Sequence, residues 1–329
     1  MNDVTHHQMF TVPLRPLLGT RFQPTGFPNL GAATYELPDG TKTRMLLLES
    51  AQSMANHLEN TIWDAQQEDL VREFAGMPYV RVRIGKDGEV TTSSIVEAHR
   101  LNSPYILDAD DGAFSNTLKS QLLPAKSESL DAIKVSRVAQ VLFRYDPSSV
   151  LHGVFLPSID GRIRLKRLLS SFIEAKDVHY VESGGVKNDR LDPKGNTALG
   201  YGNVPFSRTE FAAKEIMAYF DLDCVQLRAY GLPQAASELL VSMALYKIRR
   251  FLEEGLRLRT ACQLDLAQGF PEGLPSLGEL ASRVKDSVTR CQDAGLFASP
   301  VVTNLQWTKG QAARRSKAPA AQGTEEEND

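Results

Sequence analysis

Cysteine is scarce in this chain. Cys224, Cys262 and Cys291 are the only three in 329 residues, and they lie far apart. A disulfide framework and a Cys-x-x-Cys metal site are excluded on that count, and a reducing compartment is expected. The six histidines, His6, His7, His57, His99, His152 and His179, form no His-x-x-x-His pattern, so no metal site is expected. Positive charge is not in surplus either. Thirty-seven lysines and arginines against 40 acidic residues leave a net charge of −3, so any grip on nucleic acid must come from local basic surface. No apolar run approaches the length of a membrane span, and MNDVTHHQMF at the start has no basic or apolar signal region. A cytoplasmic protein without a membrane partner is expected. Also missing are a Walker loop, the third glycine of a dinucleotide fingerprint beside Gly200 and Gly202, and a Gly-x-Ser-x-Gly elbow. No cofactor is expected.

What is present is the profile of a soluble globular protein, 42% hydrophobic and 23% charged. Ala51, Met54, Ala55, Leu58 and Ile62 form a helical stripe with Ser50 placed to cap it, directly after the apolar run Met45–Leu48. Tyr79 to Ile84 and Glu89 to Thr92 read as a hairpin. Ser94-x-x-Glu97 reads as a capping box opening a short helix before Pro104. Further helices are expected over Leu130–Tyr145 and Ile163–Ala175, from Ser207-x-x-Glu210 onward, over Pro233–Glu254 and from Ser276 onward. Strands are expected over Val150–Leu156, Cys224–Ala229 and Leu256–Leu266. Residues 176–206 form a glycine-rich excursion, the pattern of a functional loop or an extended hairpin. After Trp307 nothing aromatic or large and aliphatic remains, and residues 308–329 read as a disordered tail. The order of elements gives an α+β fold with a mostly antiparallel sheet.

Four groups of residues are candidates for holding an anion. Ser50, Gln52, Ser53 and Asn56 stand at a helix start, where free N–H groups face outward; the plain alternative is a cap. Arg162, Arg164, Lys166 and Arg167 put four cations in six residues, either for a sugar-phosphate backbone or as a solvated helix start. Lys187 and Arg190 sit in a glycine-containing loop that also reads as an ordinary surface turn. Arg257 and Arg259 share one face of the expected strand and suit a groove.

Taken as a set, GTRFQPTGFPNLGAATY (19–35), LLLESAQSMANHLE (46–59), LHGVFLPSIDGRIRLKRLLSSFIEA (151–175), SGGVKNDR (183–190), GNVPFSRTEF (202–211) and GLRLRTACQLDL (255–266) resemble a known family. It is the CRISPR-associated RAMP backbone subunit of type I-U (also called I-G) systems, the Csb-one family of GSU type in the Cas-seven role. The Ser50-x-x-Ser53 junction is similar to a Ser-Gln-Ser segment that touches guide RNA in other type I backbone subunits. The resemblance implies an RRM-like (ferredoxin-like) core over residues 1–307, with insertions at about 64–149 and 176–206, the second a β-hairpin thumb. It implies copies stacked head to tail along one CRISPR RNA in a Cascade-like antiviral complex, presenting the guide to a target DNA strand. Partners would be a large subunit, a fused Cas-five/Cas-six-type subunit and a recruited helicase-nuclease. The subunit itself would be a scaffold and not an enzyme. Arg21 joins the candidates because Arg21-Phe-Gln lies in a shared motif. No aromatic RNP pattern is present, so base stacking on the sheet is not expected. Two other readings stay open. One is a metal-dependent RAMP ribonuclease using Asp177, Asp189 or Asp192; the other is a plain protein-interaction scaffold.

Overall fold

In the computed structural model, residues 6–27, 30–85, 90–123 and 133–308 are described. Seven elements build the centre: β1 (His7–Pro16), β2 (Arg44–Glu49), α1 (Ala51–Asn60), β3 (Leu169–Lys187), β4 (Val204–Asp223), α2 (Gln234–Glu254) and β5 (Cys262–Leu266). The sheet runs β5-β1-β4-β3-β2 in space, and each neighbouring pair is antiparallel. Setting β2 aside, the chain order is strand-helix-strand-strand-helix-strand, with the last strand beside the first and the hairpin β3–β4 outside them. That is the split βαβ arrangement of the ferredoxin-like, RRM-like fold. β2 widens it by one strand, and Gly31–Glu36 and Gly26–Phe27 continue the sheet outward.

Local chemistry explains several of these elements. Ser50 accepts a hydrogen bond from the Ser53 amide at 3.2 Å, which caps α1 as the sequence suggests. β3 buries Leu169, Ser171, Ile173 and Ala175, and these period-two positions face the helices. A last helix, α3 (Leu277–Asp293), begins in the Ser276/Glu279 capping box and lies along α2, where Arg290 meets Glu238 at 2.5 Å. Between α1 and β3 the chain forms a lobe. Its strands Tyr79–Ile84 and Val90–Ser93 pair as expected, and Val302–Trp307 joins them in parallel from the far end of the chain. The buried residues of lobe, sheet and helices make one contiguous core.

Several expected elements take another form. Ile163–Ala175 is not a helix: Arg164–Leu165 and β3 occupy it, so the argument about cations at a helix start lapses. Ser207-x-x-Glu210 opens no helix, because the ladder with β3 claims that segment for β4. Cys224–Ala229 is a helix, not a strand, and the Asp223 carboxylate caps it by accepting from the Gln226 amide at 2.7 Å. In the expected strand Val150–Leu156 the first three residues end a helix (Pro147–His152) capped by Asp146, and only Val154–Phe155 form a strand. Ser94 and Glu97 form no capping box. Glu97 instead accepts from the Thr92 and Ser103 hydroxyls, and the helix begins at Pro104 with Ser103 as its cap. Leu256–Leu266 is a tight hairpin rather than one strand, turning at Ala261 with φ 61°. The helix expected from Leu130 is observed over Val135–Tyr145, and Leu130 lies outside the described residues, as do residues 309–329 of the tail.

Candidate nucleic-acid interface

β3 and β4 continue as a two-stranded hairpin past the end of the sheet, paired as far as Lys187 and Val204. Asp177, at φ 54°, interrupts the ladder between the pairs Lys176–Glu215 and Val178–Ala213 and turns the strands there. Beyond Val178 most residues of the hairpin are exposed, including Tyr180, Val186 and Phe206. Its end loop is built by Asp189, whose carboxylate accepts from the amides of Leu191, Asp192 and Gly202. These bonds hold the Asp189 carboxyl below its ordinary value.

Three of the nominated cations, Arg21, Arg162 and Arg259, are engaged by carboxylates. Arg21, on the short strand Arg21–Phe22 beside β4, donates to Glu210 at 2.9 Å, and Arg208 and Ser183 hold the same buried carboxylate. Arg162 clamps Asp160 through two donors at 3.0 and 2.9 Å, and this pairing holds the Asp160 carboxyl down at about 2. Arg164 lies over the Phe155 ring, 4.7 Å from its centroid. Arg259 forms an ion pair with Glu49, which is fully buried and immediately precedes Ser50. That pairing, with Arg259 half-buried, makes it a structural residue rather than a free groove cation. Arg257 is exposed and does not share this role.

At the helix start Gln52 accepts from Arg167 and donates weakly to Asn56 at 3.4 Å. Ser50 is used as the cap, and Ser53 provides the capped amide. So the structure brings Ser50, Gln52, Ser53 and Asn56 together with Arg167, and places Arg259 behind them through Glu49. It does not bring Lys187 and Arg190 there. Lys187 is fourteen residues beyond the β3 position that pairs with Glu49, roughly 45 Å along an extended strand. The sequence-nominated residues therefore do not line a single groove of one chain.

A cleft of about 730 Å³ opens where the hairpin leaves the body. Tyr180, Thr209 and Phe211 form one wall, Gly26 and Gly31 another, and Arg259 with Thr260 the end. Gly26 lets the backbone at Gly31 approach; a Cβ there would meet the Gly31 oxygen at 3.0 Å. Tyr180 and Phe211 meet edge to face at 5.8 Å, and the Arg44 guanidinium lies over Tyr180 at 4.8 Å. Arg44 and Tyr180 were not nominated by spacing. Arg167 stood in the basic run, but only the fold shows which member of that run reaches α1.

The open face of the sheet has another character. Register puts Thr11, Tyr219 and Phe172 in one row, with the two rings stacked at 4.9 Å. The adjacent rows carry Asp221 and Glu174, and Glu174 accepts from Tyr35 at 2.6 Å. This aromatic pair escapes motif reading because its members come from strands 47 residues apart in the register pairing. Its acidic surround repels a phosphate chain. Among the described residues no three His, Cys, Asp or Glu side chains gather as metal ligands, and no helix is long and apolar enough to cross a membrane.

No curated protein matches the sequence. A chain of a solved structure titled "CRISPR RNA-guided surveillance complex, pre-nicking" is similar at 14% identity and a TM-score of 0.40, covering 79% of this chain and 73% of that one. So weak a likeness settles neither fold nor role. A family model described as CRISPR-associated protein GSU0053 matches residues 9–180, just over half of the chain. The chain belongs to the CRISPR-associated GSU0053 family.

Proposed function

We propose that this protein is the guide-RNA-binding backbone subunit of a CRISPR surveillance complex, stacking in copies along the guide and presenting it to a target DNA strand. The observation that carries this reading is the projecting hairpin. Two strands standing alone are marginal in water, and this arm leaves Leu191 97% and Leu199 72% exposed in its end loop, with Tyr180 and Phe206 exposed along its strands. A lone molecule gains nothing from such an arm. A chain of like molecules does, because the arm of one reaches the next and the strand held between them. Family membership and the ferredoxin-like core support the same reading.

Contacts of this kind are sequence-blind. The α1 start offers hydroxyl and amide groups, and Arg167 a guanidinium, where a phosphate chain needs donors without base-edge readout. The chain acts as a scaffold rather than a nuclease. Of the three candidate acids Asp177, Asp189 and Asp192, Asp189 is occupied by three loop amides and Asp177 is the residue that turns the strand, which gives two of the three a structural use.

The test is co-production with guide RNA and partner subunits. RNA is expected to co-purify, with the mass of the assembly scaling with guide length. An RNA-free monomer under those conditions overturns the proposal. Incubation of the assembly with complementary RNA and magnesium should leave that RNA whole; its cleavage would favour the ribonuclease.

A further inference from the structure

Besides the cleft at Arg259, a second cleft of about 590 Å³ opens at the foot of the hairpin. Four cations converge on it from three segments: Lys42 in the turn before β2, Arg44 at its start, Lys176 on β3 and Lys214 on β4. Among the described residues none of the four takes part in an ion pair or a side-chain hydrogen bond, although at least ten arginines there are paired with carboxylates.

The acids nearby do not neutralise the cluster. Asp39 is used by its own turn, accepting from the Thr41 and Thr43 hydroxyls at 2.9 and 2.7 Å. Asp177 lies 3.9 Å from His179, and Glu36 is the other carboxylate on the cleft wall. Glu215 is opposite Lys176 in register, yet the two make no ion pair within 4 Å. Four cations against two lining carboxylates leave the cleft with an excess of positive charge, which suits an external anion. The cleft also has an aromatic edge: Arg44 reaches over Tyr180, which is half exposed and also lines the first cleft, so the two clefts meet at that ring.

From this arrangement we infer that the cleft of Lys42, Arg44, Lys176 and Lys214 holds the phosphodiester backbone of a single strand, with Tyr180 as a stacking surface for an adjoining base. The site deepens the RNA-binding reading above and rests on it. It is separate from the α1 start, which contributes none of these residues. Nucleic acid chosen for its phosphates and for any base with a π face is bound without regard to sequence.

The experiment titrates the full chain against a labelled single-stranded RNA and the DNA of the same sequence over a range of salt. Lys176→Gln with Lys214→Gln removes two cations, and the slope of log affinity against log salt should fall by about 1.4, at about 0.7 per phosphate contact on single strands. A fall on RNA alone assigns the cleft to the guide, on DNA alone to the target strand, and on both to either. Lys42→Gln with Arg44→Gln gives the same reading from the other wall, should the first pair fail to fold. Unchanged slopes in both folded variants overturn the cleft while leaving the RNA-binding reading intact. A wild-type chain that binds neither strand overturns both.

Discussion

His152 is wholly buried, and its Nε2 lies 2.9 Å from the Lys247 ammonium, which also donates to Ser148 at 2.9 Å. Burial first, then the neighbouring Lys247, holds this imidazole well below its ordinary 6.5, so it accepts from the ammonium as a neutral ring. The folded chain leaves His152 unprotonated while the unfolded chain takes up a proton below pH 6.5. The stability it contributes above that value is therefore lost as the solution is acidified. Burial raises the Glu59 and Asp146 carboxyls beside it, and these act in the opposite direction. Comparison with His152→Gln isolates the histidine: the gap in urea stability should change by about 1 kcal/mol against wild type between pH 7 and 5.5. A gap independent of pH would refute this. Arg259 supplies a second residue-level test. Arg259→Ala strands the buried Glu49 carboxylate and should cost about 3 kcal/mol, while the salt slope of nucleic-acid binding stays as in wild type. A normal melt with a reduced slope would return Arg259 to the groove.

At the scale of elements, the outcome follows how local each signal is. Ser50, Ser276 and Gly255 mark helix ends through contacts within a few residues, and α1, α2 and α3 are legible from them. β3 and β4 are not, because long-range pairing decides them. Ser207-x-x-Glu210 has the spacing of a helix start, yet Glu210 is claimed by Arg21 from a strand 189 residues away. Asp146-Pro147 was a legible helix start in its own right, since the Asp146 carboxylate accepts from the Ser148 amide at 2.9 Å and proline suits the first turn. The site divides in the same way. The α1 start was readable; Arg44, Arg167 and the Lys42–Lys214 cleft required the sheet to bring distant segments together. Asp177 tests the kink itself. Asp177→Val places a β-branched residue at φ 54° and should lose about 1–2 kcal/mol, whereas Asp177→Gly should hold the wild-type urea midpoint. For the arm, replacing Gly184–Ser207 by Asn-Gly keeps the Ser183–Arg208 pair at its end. The shortened chain should melt as wild type but fail to form assemblies that lengthen with the guide.

Across the whole molecule, a buried set of charges joins the lobe to the sheet and helices. Arg100 from the lobe meets Glu59 of α1 at 2.6 Å, and Lys247 of α2 reaches Ser148 and His152. Removing one member leaves a charge in the core without its partner. Arg100→Ala should cost about 3–5 kcal/mol and lower a single cooperative transition. Two separate transitions would show that lobe and sheet fold independently.

The parallel pairing of Val302–Trp307 with Tyr79–Ile84 bears on the order of events during synthesis. Residues 79–84 leave the ribosome more than 200 residues ahead of the strand that covers them. Until translation is nearly finished, the nascent lobe presents an open β-edge, which is a template for pairing with other chains. Chains cut before Val302 should accumulate as aggregates rather than as soluble, partly active fragments.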